Sequence, residues 1–287
     1  MIAVYKNELN IFFKSLNAYL FIAFLLFFVG LYSMGYNINS AYASLEYVLG
    51  SMTFIFTIAV PLLTMRTIAE EKRQKTDQLL YSLPISMTEV VLGKLLALVT
   101  VYLIPILIIA CYPLIYSMFG DVYILGALGA VFGFFLLGVA LLSVGMFISS
   151  ITESQAIAAV VTFVVILFNY FVAALAAFVP EASIVSFVLF AVLILILGVI
   201  IYFMTKNTTF AWGTTLAFEG ILTTAYLLWN GKFEGLFGKV MAEISLTERY
   251  YQFAEGVFDL NSIVFFLSVT ALFTFLTIQS LEKRRWS

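Results

Sequence analysis

Long apolar stretches alternate with short polar loops along most of this chain. A helix needs about 20 apolar residues to cross a bilayer core of about 30 Å, so each stretch predicts one membrane-spanning helix. We therefore predict an all-α polytopic membrane protein, organised as a single transmembrane domain over residues 1–287. The apolar stretches cover residues 16–36, 48–68, 91–119, 122–149, 155–179, 184–204, 213–230 and 262–280.

The number of spans depends on the stretch 213–230, which contains several threonines, two glycines and an acid. Basic side chains favour the cytoplasmic side of a membrane. With about eight spans and a cytoplasmic N-terminus, all Lys and Arg residues lie on or near that side except Lys232, Lys239 and Arg249. We therefore predict eight spans in the plasma membrane, with both termini in the cytoplasm. The alternative is six spans, in which neither 213–230 nor another stretch such as 184–204 crosses.

Composition supports the same class and argues against several others. Hydrophobic residues make up 63% of the 287 residues and the mean hydropathy is +1.10, so no large soluble domain is expected. The basic residues are scattered and form no basic face, which argues against nucleic acid as a partner. The chain has no His and one Cys, Cys111. It therefore lacks a Cys-His or Ser-His dyad and the usual ligands of zinc or copper, and we predict no catalytic residue and no metal site.

One segment breaks the apolar pattern, because six of the eight residues from Glu70 to Asp77 are charged. Such a segment cannot lie in hydrocarbon. Leu79, Leu80 and Leu83 follow at spacing i, i+1 and i+4, which places an apolar edge on a helix whose first part is polar. We predict a cytoplasmic helix over about 70–83 whose apolar edge contacts a partner. An orienting loop or a helix on anionic headgroups is the alternative.

The end of this predicted helix is well marked. Pro84 disfavours helical angles at Leu83 and supplies no amide hydrogen, so it ends the helix. Ser86 followed three residues later by Glu89 is a capping box that starts the next helix. The charged helix is therefore expected directly before a firmly anchored membrane helix, which can transmit a push into the bilayer.

The segment VPLLTMRTIAEEKRQKTDQLLYSLPISMTEVVLGKLLA, residues 60–97, resembles the signature of type-two ABC (ABC-2) transporter permeases, especially those related to the gliding-motility-associated permease subunit. The shared elements are TMR closing the second span, AEEKR with a following Thr, LL, SLP, and GK just inside the third span. Residues 244–286, ISLTERYYQFAEGVFDLNSIVFFLSVTALFTFLTIQSLEKRRW, resemble the last outer segment and final span of the same group.

The resemblance implies that the charged helix is the coupling helix, which docks into a groove of a separate ABC ATP-binding subunit. It also implies an ATP-driven exporter with a second permease copy, either identical or related, and with ATP and Mg bound by the partner subunits. The family usually has Gly before the Thr, whereas this chain has Lys75 before Thr76, so a less sharp bend is expected. The implied docking residues are Glu70, Glu71, Lys72, Arg73, Lys75, Thr76, Asp77, Leu79, Leu80 and Leu83.

A nucleotide site within the chain would require the P-loop pattern G-x-x-x-x-G-K-[ST]. The Gly-Lys pairs at 93–94, 231–232 and 238–239 are followed by Leu, Phe and Val. We therefore predict a transport subunit that binds no cofactor itself and relies on another polypeptide for ATP hydrolysis.

Two polar residues within apolar stretches are candidates for a substrate path. An ionisable group at mid-bilayer costs at least about 2.5 kcal/mol, so Glu219 is a functional candidate unless its helix is interfacial or lines a wet cavity. Asn169 is the second candidate, and for it we favour an interhelical hydrogen bond.

The outer segment, about 231–261, interleaves acids with Tyr and Phe. This pattern predicts an amphipathic interfacial helix that acts as a lid and anchor, with contact to an accessory outer subunit as another role.

Glycines thin the stretch 122–149, and Gly129 and Gly133 have the G-x-x-x-G spacing that permits close helix approach. We expect this packing within the protomer, with a dimer contact as the alternative.

Two other functional classes are weighed against the ABC permease. An ion- or proton-coupled secondary transporter would favour several buried acids or His and repeated halves. An intramembrane enzyme would need a catalytic pair within the bilayer. The chain offers Glu219 and no obvious repeat, so the permease prediction is favoured. The substrate is not indicated by the sequence.

Overall fold

The computed structural model describes residues 1–39, 44–76, 85–118 and 120–285. All regular secondary structure in these residues is helical, which confirms the predicted all-α class. A π-helix, Met34–Asn39, and two 3-10 helices, Thr53–Ile55 and Asn230–Phe233, supplement the α-helices. In chain order the α-helices are α1 Ile2–Lys14, α2 Leu16–Ser33, α3 Leu45–Met52, α4 Phe56–Thr64, α5 Ala69–Gln74, α6 Met87–Ile109, α7 Tyr112–Tyr116, α8 Ile124–Ile151, α9 Gln155–Ala176, α10 Ser183–Thr205, α11 Thr208–Leu228, α12 Leu236–Ile244, α13 Leu246–Ala254 and α14 Leu260–Arg285.

Within the described residues, six helices or helical runs are long and apolar enough to cross a membrane, as expected of a polytopic membrane protein. The other two predicted spans correspond to α10 and α11, which are both helical. Helix α10, Ser183–Thr205, has an apolar sequence over most of its 23 residues. Helix α11 contains Glu219 and several threonines. The eight-span and six-span predictions therefore differ in whether these two helices cross. The six candidate spans are Leu16–Asn39, Leu45–Gln74, Met87–Tyr116, Ile124–Ile151, Gln155–Ala176 and Leu260–Arg285.

The helices group into two compact units. The first unit comprises Met1–Tyr170 and Leu246–Ser287, and the second comprises Phe171–Ser245. The single permease domain over 1–287 stays a prediction.

Helix α8 packs against α4, α6, α13 and α14 in the first unit, and its glycines permit these contacts. A Cβ atom at Gly133 would lie 2.6 Å from the ring of Phe253, and one at Gly138 would overlap Tyr102. A Cβ at Gly129 would meet no atom of the described part of the chain within 4 Å. The expectation of packing within the protomer is therefore confirmed for Gly133, whereas Gly129 faces open space.

Helix α13 requires a correction to the outer segment predicted over 231–261. Leu246, Tyr250 and Phe253 recur at helical spacing, are at most 5% exposed, and lie on a helix that packs against α8. The apolar face of α13 therefore meets protein instead of lipid headgroups. Helix α12, which precedes it, contains no buried residue and belongs to the second unit.

The second unit is organised around the pair α10 and α11. A Cβ at Gly198 of α10 would overlap the side chain of Thr215 of α11, so the glycine permits a close approach. The Ser186 hydroxyl of α10 accepts a hydrogen bond from the Phe237 N–H of α12 at 3.3 Å. These contacts hold α11 and α12 against α10.

Candidate functional site

The ammonium of Lys94, in α6, is the centre of a buried charge cluster, hereafter the Lys94 cluster. The residue is 1% exposed. Its Nζ atom lies 2.6 Å from Glu8 Oε1, 2.6 Å from Glu71 Oε1 and 3.1 Å from the carbonyl oxygen of Thr67. An ammonium has three N–H donors, so each of them has an acceptor here.

The Lys94 cluster combines one ammonium with two carboxylates. Removing a charge from water costs several kcal/mol per ion, and close partners must compensate for it. The Glu8 side chain is 7% exposed and the Glu71 side chain 24% exposed, so Glu71 keeps contact with solvent. Without Lys94 the two carboxylates would repel each other across the vacated position.

The charged members of the Lys94 cluster come from three separate helices. Glu8 lies on α1, Glu71 on α5 and Lys94 on α6. The cluster therefore fixes the charged segment to the N-terminal helix and to the third candidate span. The sequence analysis selected Glu71 but missed Glu8 and Lys94. The available signal was a Lys within an apolar stretch, which requires a charged partner.

The N-terminus of α5 is held by the end of α8. The Ser149 hydroxyl accepts hydrogen bonds from the N–H groups of Ile68 and Ala69 at 3.2 and 3.0 Å, and such amides at a helix start have no acceptor within their own helix. Lys72 is 4% exposed, and its ammonium donates a hydrogen bond to the carbonyl oxygen of Ser150. Helix α5 is therefore anchored to α8 as well as to α1 and α6.

The helix predicted over about 70–83 is interrupted at Lys75, because α5 ends at Gln74, and residues 77–83 lie outside the described residues. Lys75 has φ 58° and ψ 20°, the left-handed conformation that Gly usually adopts at a helix C-terminus. The Thr76 N–H donates to the carbonyl oxygen of Glu71 at 3.0 Å, which closes the helix end. Lys75 therefore adopts the conformation that Gly usually supplies here, and the less sharp bend relative to the family stays a prediction.

The remaining implied docking residues are partly accessible. Glu70 forms a bidentate pair with Arg66, at 2.6 and 2.9 Å, while Arg73, Lys75 and Thr76 are exposed. The implied docking residues Asp77, Leu79, Leu80 and Leu83 lie outside the described residues.

A cavity of about 480 Å³ lies between α1 and the segment from Arg66 to Thr76. Asn7, Glu8 and Gln74 contribute polar groups to its wall. The charged segment therefore has both a buried face that contacts the membrane helices and an open face.

A family comparison decides the class of this protein. The model described as ABC-2 family transporter protein matches residues 2–182. The chain belongs to the ABC-2 transporter family. Comparison with curated proteins finds no match. The matched region of this ABC-2 protein contains the whole Lys94 cluster and the charged segment, and it supports a permease over a secondary transporter or an intramembrane enzyme. The gliding-motility subtype stays a prediction.

The predicted cap of the third span is present in this ABC-2 protein. The Ser86 hydroxyl accepts a hydrogen bond from the Glu89 N–H at 3.2 Å. The Glu89 carboxylate lies 3.3 Å from the amino group of Met1. Helix α6 therefore begins where the sequence predicts, and α1 lies beside its start.

The two candidate path residues belong to different compact units. Asn169 Oδ1 accepts a hydrogen bond from the Leu246 N–H at 3.1 Å, and this bond holds the start of α13. Glu219 lies in the second unit, and its Oε1 atom is buried without a hydrogen-bond partner in the described residues. Asn169 thus has a packing role, and Glu219 stays a candidate.

A surface ion pair joins the far end of α14 to the loop after α8. Arg284 donates to Glu153 Oε1 at 2.7 Å, and this hydrogen bond holds the pKa of Glu153 below its usual range. The Ser280 hydroxyl donates to the carbonyl oxygen of Ser150 at 3.2 Å. The last helix therefore contacts the same α8 terminus that holds α5.

Proposed function

We propose that this chain is the membrane-spanning permease subunit of an ATP-driven ABC exporter, in which the segment 66–76 couples a separate ATP-binding subunit to the membrane helices. The Lys94 cluster is the observation that carries the proposal. It joins Glu71, on the segment with the open face, to Lys94, which lies within a candidate span. A force applied to the segment therefore reaches α6 through a short ion pair.

The same segment has a second connection to the membrane helices. Ser149 and Ser150, at the end of α8, accept hydrogen bonds from the start of α5 and from Lys72. Because α8 packs against α4, α6, α13 and α14, a shift of α5 acts on the most connected helix of the first unit. This arrangement supports a coupling element over a loop that only sets membrane orientation.

The partners follow from the proposed role. ATP and Mg bind to the separate subunits, because the Gly-Lys pairs of this chain lack the Ser or Thr of a P-loop. A second permease, identical or related, completes the transport path, and an accessory subunit is a further partner at the outer face. The segment 66–76 and both termini lie in the cytoplasm, in agreement with the basic-residue asymmetry.

Co-purification with the cognate ABC ATP-binding subunit tests the proposal. Arg73 and Lys75 are exposed at the end of α5, so the double variant Arg73→Glu with Lys75→Glu should weaken ATPase binding about tenfold or more, because each reversed charge contributes up to about 1 kcal/mol at an exposed site. The matched control is Lys283→Glu with Arg285→Glu, which makes the same charge change at exposed positions of α14.

The two double variants separate docking from a general charge effect. The proposal predicts that the α14 control retains the ATPase and that the α5 variant loses it, with equal membrane insertion of both. Equal retention by the two variants would show that the segment 66–76 does not receive the ATPase.

A further inference from the structure

A second cavity, of about 440 Å³, lies in the first unit. Its wall includes Glu46 and Tyr47, which stand at the start of the candidate span Leu45–Gln74. The charged segment occupies the other end of that span. The cavity is therefore on the opposite side of the membrane from the proposed ATPase site, and its volume is within the range of small-molecule sites.

Three tyrosine rings line this cavity: Tyr47, Tyr170 and Tyr251. The Tyr251 hydroxyl lies 3.4 Å from Thr53 Oγ1. The Tyr170 ring also contacts Phe54 edge to face, at 5.3 Å between ring centroids. The rings of Tyr170 and Tyr251 are therefore held in place by contacts with residues outside the cavity wall.

Two carboxylates, from Glu46 and Glu255, also line the cavity. Glu46 accepts a hydrogen bond from the Ser44 hydroxyl at 2.6 Å. Within the part of the chain that the structure describes, neither carboxylate forms an ion pair with Lys or Arg. The cavity wall thus combines three tyrosine side chains with two carboxylates that have no cationic partner in the described residues.

We propose that this cavity binds an organic ammonium cation, with the tyrosine faces around the cation and the carboxylates of Glu46 and Glu255 beside it. Aromatic faces attract ammonium groups, and this attraction strengthens when the cation is desolvated. A neutral aromatic ligand would leave both carboxylates uncompensated. An inorganic ion such as Ca²⁺ requires six to eight oxygen ligands, and the described residues form no group of three or more metal-binding side chains.

This inference goes beyond the proposed coupling function and depends on other residues, so each can fail without the other. A free ammonium compound and the choline headgroup of a lipid share the chemistry that the cavity recognises. The test therefore includes both sources.

The test uses the purified full chain in dodecyl maltoside, titrated by calorimetry with choline and with 3,3-dimethylbutanol, its neutral isostere. Choline should bind about tenfold more tightly than the isostere, because only the cation gains the attraction to the rings and carboxylates. Glu255→Gln should weaken choline binding about tenfold, and Tyr47→Leu by about threefold or more. Glu255 and Tyr47 are exposed, so these variants should fold like the parent.

Glu248→Gln is the matched control, since it removes an exposed carboxylate from α13 outside the cavity wall. It should bind choline like the parent. Competition by phosphatidylcholine, but not by phosphatidylglycerol, would identify the ligand as a lipid headgroup, and the lack of competition would identify a free cation. Equal binding of choline and its isostere, or unchanged binding in both cavity variants, would overturn the proposal.

Discussion

The ammonium of Lys94 and the carboxylate of Glu71 lie 2.6 Å apart, and the Lys94 side chain is 1% exposed. Glu71 belongs to the segment that carries the implied docking residues, and Lys94 lies within a candidate span. The pair therefore gives the charged segment a rigid connection to the membrane helices. Its strength can be measured, because each partner can be replaced separately.

Lys94→Met should destabilise the chain by about 3–5 kcal/mol, because it leaves the carboxylates of Glu8 and Glu71 without a counterion. The double variant Lys94→Met with Glu8→Leu should be more stable than Lys94→Met alone, since the deeper carboxylate is then gone. Denaturation in mixed micelles gives both values. A double variant that is less stable than the single one would show that Glu8 does not depend on Lys94.

Ser149→Ala should cost about 1–2 kcal/mol, because two N–H groups at the start of α5 lose their acceptor. Ser143→Ala is the control, since the Ser143 hydroxyl is equally buried in α8 but donates only to Ala140 of its own helix, at 2.7 Å. The same unfolding assay compares the two. Equal losses would mean that the Ser149 contact to α5 contributes nothing specific.

Lys75→Gly should stabilise the chain by about 1 kcal/mol, because the left-handed conformation is strained for a residue with a Cβ atom. Gln74→Gly, one position earlier, should destabilise by roughly 1 kcal/mol, since that residue is inside the helix. Opposite signs in thermal unfolding would verify the helix end at this point. Destabilisation by both glycines would indicate a helix that continues through Lys75.

Gly133→Ala should cost about 1–3 kcal/mol, because the added methyl group would lie 2.6 Å from the Phe253 ring. Gly129→Ala should be neutral or stabilising, since no atom of the described residues lies within 4 Å of the added group. Unfolding measurements test the first effect. Gel filtration of both variants tests whether Gly129 instead contacts a second copy, in which case Gly129→Ala would change the dimer and Gly133→Ala would not.

Cysteine labelling should distinguish eight spans from six. In a Cys111→Ala background, Lys239→Cys should react with an impermeant thiol reagent from outside, and Lys206→Cys should not, because α11 crosses between them in the eight-span topology. Both positions are exposed, so accessibility reports the side of the membrane. Labelling of Lys206→Cys from outside would contradict eight spans.

Much of the fold could be predicted from the sequence because the signals are local. The length of an apolar stretch decides whether a helix can cross the bilayer, and the long stretches became the candidate spans. The Ser86 cap was predictable for the same reason, since its partner is three residues away. The span count depends on α11, whose apolar pattern is interrupted by Glu219 and several threonines.

The sequence by itself determined the class of protein, the position of its charged segment and the signature of its family. The tertiary structure decided which charges are buried together, because Lys94 and Glu8 are separated by 86 residues and no local pattern relates them. It also decided that α13 faces protein and that Lys75 ends α5. An amphipathic pattern shows that one face is buried but not by what, and a left-handed residue other than Gly depends on contacts that hold the chain on both sides.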